Sequence, residues 1–187
     1  MNRQDLLAGA SLRRRSAQQG NALVFSMLGL VVGGIVLALG ITYFQASQAN
    51  AQIQATVGEV GAIIGSAQQN YGSFGYSGLT TAVAVGSRVI PEIRADAGGK
   101  SATNAYSGAI ALVDNSGATP DTARLSYANV PASQCSQIVN GTQALAREVL
   151  VAAADVKPLD GMLDIAKAVS QCTSAANVTI EFVIGRT

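Results

Sequence analysis

The stretch RRRSAQQGNALVFSMLGLVVGGIVLALGITYF, residues 13–44, decides how the rest of the chain is read. Three consecutive arginines give way to Ser16, Ala17, Gln18, Gln19 and Gly20. From residue 22 to residue 44 the chain then carries no charge and no proline. About 20 apolar residues in a helix rising about 1.5 Å each suffice to cross the roughly 30 Å hydrocarbon core of a bilayer. The arginines belong on the cytoplasmic side, which puts the body of the chain on the other. A secretory signal has a shorter apolar centre followed by a small-residue cleavage site. Here the run instead continues into residues 45–71 with no proline or glycine pair between them.

In that continuation Ile53, Val57, Val60, Ile64, Ala67 and Tyr71 recur at alternating steps of four and three, an apolar stripe on one helical face. Gln45, Gln48, Gln52, Gln54, Glu59 and Gln68 fill other positions. The spacing predicts a helix over residues 22–71, on the order of 75 Å long. Its first part, residues 21–44, spans a membrane, and residues 45–71 form an amphipathic stalk on a globular domain. Gly29, Gly33, Gly34 and Gly40 interrupt the apolar run, each costing a water-exposed helix about 1 kcal/mol relative to alanine. Gly29 and Gly33 make a small-xxx-small pair that admits a second helix, and local melting at Gly33 and Gly34 uses the same residues equally well.

Outside this segment the composition narrows the field. Of 187 residues 12% are charged and 49% apolar, too apolar for a disordered chain and poor in solubilising charge. Residues 1–20 hold four arginines against Asp5, a charge of +3, leaving −2 for the rest of the net +1. A mildly acidic body without a basic cluster gives no electrostatic basis for nucleic-acid binding. With no histidine, the common Ser-His-Asp and Cys-His catalytic arrangements are excluded, and no enzymatic activity is expected. Cys135 and Cys172 lack CxxC spacing, and a zinc site would have to be completed by carboxylates alone, so no metal or cofactor is expected. They are either a disulfide in an exported domain or two buried thiols in a cytosolic one; the N-terminal segment favours export and the disulfide.

The body, residues 72–187, reads as α+β. Gly72, Gly75, Gly78, Gly86, Gly98 and Gly99 break its beginning into a surface loop holding brief helices at most. Alternation predicts strands at 109–113 and 125–130, and Val178, Ile180, Phe182 and Ile184 give the cleanest period of two. An antiparallel sheet on the stalk would bury its stripe. Residues 131–145 and 160–169 read as helices, and 147–153 as either type. A bond between Cys135 and Cys172 would clip those two helices together, for about 4 kcal/mol in the chain-entropy model. Asp160 and Asp164 lie one helical turn apart and read as a solvated face, Asp114-Asn115-Ser116-Gly117 as a turn, and Gly98-Gly99-Lys100-Ser101 as a loop.

A basic leader ending in Gly20, an uncharged helix directly after it, an amphipathic continuation and a late cysteine pair together resemble the type IV pilins. The long leader and wide cysteine spacing are similar to the type IVb subgroup. So are Tyr76-Ser77-Gly78-Leu79, Tyr106-Ser107-Gly108, Arg124-Leu125-Ser126-Tyr127 and the last strand after Cys172, which resemble bundle-forming and conjugative pilins. The resemblance implies a cleaved leader, residues 1–20, cut by a prepilin peptidase between Gly20 and Asn21, with possible methylation of the new terminus. It further implies passage through the inner membrane, action of a pilus assembly machinery, and a helical homopolymer at the cell surface, its core formed by residues 21–71 and its surface by 72–187. Phe25, Gly29, Gly33 and Gly34 would pack in that core. In major pilins the fifth residue after cleavage is usually a glutamate, and here it is Phe25: either the new amino terminus is neutralised otherwise, or it stays near water, or the subunit is a minor or tip pilin. Two other readings share the helix: a type II secretion pseudopilin, and a single-pass membrane sensor with a periplasmic binding domain that would keep residues 1–20.

Overall fold

A computed structural model describes residues 3–119 and 121–186, with side-chain surroundings from Val24 onward except at Thr42, Gln45 and Ala46. Helix α1 runs Arg3–Tyr71, starting well before the apolar run. Leu6, Leu7, Ala8, Ala10, Leu12 and the arginines are strong helix formers, and no proline stops them. The chain divides into two compact units, Met1–Gln48 and Ala49–Thr187. In the first, the span Val24–Ile41 has none of its residues buried.

The second unit is α+β. After the last turns of α1 come α2 (Thr81–Gly86), a 3-10 turn (Glu92–Arg94), β1 (Ala102–Thr103), β2 (Ala109–Asp114), β3 (Thr122–Pro131), α3 (Ala132–Thr142), a second 3-10 turn (Gln143–Leu145), β4 (Glu148–Val151), β5 (Ala154–Lys157), α4 (Ile165–Cys172) and β6 (Asn177–Gly185). The six strands make one sheet in the order β1-β2-β3-β6-β4-β5, with antiparallel pairing throughout. The two longest strands, β3 and β6, form its centre, where Ala123, Leu125 and Tyr127 face Ile184, Phe182 and Ile180 in register. All six are buried. They join one core with Ile53, Val60, Ile63, Ile64 and Ala67 of α1, so the stalk stripe covers the sheet as its spacing requires. A bulge between Tyr127 and Val130 leaves both residues buried in that core. At this bulge Gly108 has no substitute, because a Cβ there would overlap the carbonyl of Ala128. Gly141 in α3 is similarly constrained: its Cβ would come within 2.9 Å of the Val57 side chain.

Several expectations shift. The predicted helix over 160–169 is displaced to α4, Ile165–Cys172, because Asp164 caps it by accepting from the amide of Lys167 at 3.0 Å. Before the cap, Asp160 takes a left-handed conformation and Gly161 closes a turn onto Pro158. The α3 helix stops at Thr142 and tightens into a 3-10 turn rather than running on to Leu145. The ambiguous stretch 147–153 is strand β4, and strands β1 and β5 were not anticipated. The glycine-rich segment after residue 72 does hold only brief helices. Yet it also supplies Tyr76, Leu79, Ala84, Val85, Val89 and Ile90 to the core, so it is less of a surface loop than its glycines suggest.

Candidate functional site

The surfaces that ask for a partner are apolar, and the largest is on the first unit. From Val24 to Ile41 every residue is exposed, including Phe25, Leu28, Leu30, Val31, Ile35 and Leu37. Exposing this much contiguous apolar surface to water is unfavourable by roughly 25 cal/mol per Å². The stretch contains no charged side chain, so lipid or other apolar helices are the only media that match it. Gly29, Gly33, Gly34 and Gly40 have open space where a Cβ would stand. Beside Gly40 the chain has a notch lined by Val36, Leu37, Ile41 and Phe44. Gly20 and Asn21 lie within the helical backbone of α1, and their surroundings fall outside what is described.

In the second unit, Cys135 of α3 and Cys172 of α4 form a disulfide with a Cα–Cα distance of 5.6 Å. Both cysteines are buried, so the bond is an internal staple rather than a reactive site. It holds the two helices side by side above a shallow groove of about 250 Å³ lined by Gln137, Asn140, Leu163, Ile165 and Val169. Met162 and Ile165, at 90% and 68% exposure, extend this apolar rim. Phe74 and Ile93, at 89% and 88%, stand on the glycine-rich segment.

That segment is fastened to the stalk by an ion pair the sequence did not reveal. Arg94 Nη2 donates to Glu59 Oε2 at 2.6 Å, its Nε donates to both carboxylate oxygens at 3.1 Å, and Tyr127 Oη donates to Glu59 Oε1 at 3.1 Å. The bond to Glu59 raises the pKa of Arg94, while burial, then the Glu59 charge, pushes the Tyr127 phenol far up. One turn away, Thr56 Oγ1 and Tyr106 Oη are 3.0 Å apart, and Tyr106 Oη donates to Gln134 Oε1 at 2.6 Å. In the sequence Glu59 is one of the polar residues that fill positions outside the stripe, and nothing local marks its partners.

The acidic motifs have structural roles. Asp160 pairs with Arg147 and Asp164 caps α4. Asp114 accepts from the amide of Ser116 at 2.8 Å, and Asp96 from those of Lys100 at 2.9 Å and Ser101 at 3.2 Å, each organising its own turn. The Ser116 hydroxyl, which also donates to Asp114, and then the Ser116 amide depress the Asp114 pKa; the Ser101 and Lys100 amides depress that of Asp96, and the Arg147 bond that of Asp160. Among the described residues no cluster of His, Cys, Asp and Glu suited to a metal is found.

Comparison with known proteins places this architecture. The family model described as PilS N terminal matches residues 50–185. The solved type IVb pilin of Salmonella typhi is similar at 14% identity and a TM-score of 0.55, over 71% of this chain and 99% of that one. TcpA, a type IV pilin of Vibrio cholerae El Tor biotype, is similar more loosely, at 15% identity and a TM-score of 0.47 over 69% and 98% of the two chains. No curated protein matches the chain. With the family model covering most of its length and a fold similar to that of a type IVb pilin, the chain belongs to the PilS N terminal family.

Proposed function

We propose that this protein is a structural subunit of a type IV pilus, held in the inner membrane as a precursor and then polymerised into a surface filament. The observation that carries the reading is the uniformly exposed, charge-free stretch Val24–Ile41 on the same chain as a type IVb pilin fold. A lipid bilayer satisfies that surface before assembly, and the same helices of neighbouring subunits satisfy it afterwards. In this account a prepilin peptidase removes residues 1–20 by cutting between Gly20 and Asn21 on the cytoplasmic side. Residues 21–71 supply the filament core and residues 72–187 its surface, with the inner-membrane assembly machinery doing the work. Adhesion, bundling or conjugative cell contact would then be a property of the exposed heads.

The exposed Phe25 supports a second reading, that the subunit is a minor pilin. A free ammonium at the mature terminus needs a partner when desolvated, and Phe25 provides none. Shearing cells and quantifying the subunit in the released filaments separates the two: bulk recovery marks a major pilin, trace recovery a minor one. A Phe25→Glu variant refines this, since increased incorporation would mean that the missing carboxylate limits docking.

A further inference from the structure

Within the charge-free stretch one recess has walls. Val36, Leu37, Ile41 and Phe44 enclose an open hollow of about 580 Å³ over Gly40, where a Cβ would meet nothing. Leu37, Gly40, Ile41 and Phe44 stand at i, i+3, i+4 and i+7, the corners of the hole into which a side chain of a facing helix inserts. Glycine at one corner and large residues at the other three make this hole wider than an aliphatic side chain needs. Gly29, Gly33 and Gly34 lie about a turn or less apart and together make a flat seat instead of a walled hole.

A matching knob lies on the same chain. Phe25 is the one aromatic residue between Val24 and Ile41, and it is exposed. It precedes Gly40 by 15 residues, which is about 22 Å along a helix. When two copies lie in the same direction and one is raised by that distance, its Phe25 comes level with Gly40 of the lower copy. The same register sets Gly29 of the raised copy against Phe44 of the lower, a small residue against a large one, so the backbones can approach until the knob seats. Phe25 then lies beside Phe44, and an offset or edge-on aromatic contact adds to the buried area. Without the shift, Phe25 meets Phe25 and Gly40 meets Gly40, which fills nothing.

The bilayer permits only the unshifted register, because the arginines hold every copy at one depth. A rise of about 22 Å takes most of the span out of a hydrocarbon core about 30 Å thick. Knob and hole therefore meet only as copies leave the membrane.

We propose that Phe25 of each subunit docks in the Gly40 hole of a second copy of this chain, displaced by about 22 Å along the helix, and that this contact forms on assembly while lipid fills the hole beforehand. The inference rests on the pilus reading and names the pair of surfaces that meet in its filament core.

Replacing Phe25 in cells by the photoreactive p-benzoylphenylalanine keeps an aromatic knob, and irradiation followed by mass spectrometry reports what it touches. In sheared filaments the adducts should fall on residues 36–44 of another copy, since the same residues of its own chain are out of reach along the helix; in the membrane fraction they should fall on lipid. Two changes of size give an independent readout, the ratio of subunit in sheared filaments to subunit in the membrane. Phe25→Ala removes the knob and Gly40→Leu fills the hole, and each should lower the ratio severalfold with the amount in the membrane unchanged. Combined, they should cost less than the two losses multiplied, because a filled hole no longer needs a knob. Filament adducts on lipid or outside residues 36–44, unchanged ratios in both single variants, losses that simply multiply, or a higher recovery of Phe25→Glu would overturn the proposal and leave the pilus reading standing. Absence of the wild-type chain from sheared filaments would overturn both.

Discussion

Two stretches of α1, Val24–Ile41 and residues 49–71, are both rich in aliphatic side chains, and they meet opposite fates. In the first no side chain is buried, whereas in the second Ile53, Val60, Ile63, Ile64 and Ala67 are shut into the core. The difference is in pattern. The later stretch confines its large apolar residues to one face and offers that face a sheet. The earlier one is apolar all round, so no single neighbour within its own chain could cover it; only a medium or a set of copies can. Apolar content alone therefore does not set burial, and a helix can serve an internal core along one part of its length and an external partner along another.

Substitutions that act on one stretch and spare the other test this separation. The largest effect should come from Phe182→Ala at the centre of the sheet, where loss of a buried aromatic costs about 3–5 kcal/mol. A lower Tm in micelles, with membrane partitioning unchanged, is the expected outcome. Replacing Cys135 and Cys172 together by serine opens a crosslink between residues 37 apart and should cost about 4 kcal/mol at most. A reductant should lower the Tm of the wild type towards that of the variant and leave the variant unmoved. Val32→Arg works on the other stretch. A charge near the centre of the span costs about 3 kcal/mol of insertion, so the variant should shift toward the soluble fraction on carbonate extraction while the head's Tm stays the same. The smallest effect belongs to Asp164→Ala, which removes the α4 cap for about 1 kcal/mol. It should be seen as faster amide exchange confined to α4 and its groove.

The features legible in the sequence were those with a period or an uninterrupted run. The apolar stretch, the stalk stripe, the β2, β3 and β6 strands and the helix that carries Cys135 all announce themselves this way. The cysteine pair was legible by elimination of metal ligands and by the export that the arginines and apolar run imply. What stayed hidden depended on partners distant in the chain. Strand β5 is four residues long and owes its assignment to β4. The Glu59–Arg94–Tyr127 cluster joins positions separated by 35 and 68 residues, with no local trace of the pairing. Tyr76, Leu79 and Ile90 reach the core from a glycine-rich segment whose composition signals only turns. Helix α4 was misplaced because Asp160 and Asp164 are both plausible caps, and Pro158 and Gly161 close the turn around the first of them.

The central claim is that the apolar stretch is uncovered in one chain because it is destined first for lipid and then for other copies, with residues 1–20 removed between the two. The mass of the mature N-terminus in protein sheared from the cell surface tests this most directly. The account predicts a chain beginning at Asn21. A chain retaining Met1 and found only in the membrane fraction, in cells with an active prepilin peptidase, would contradict it.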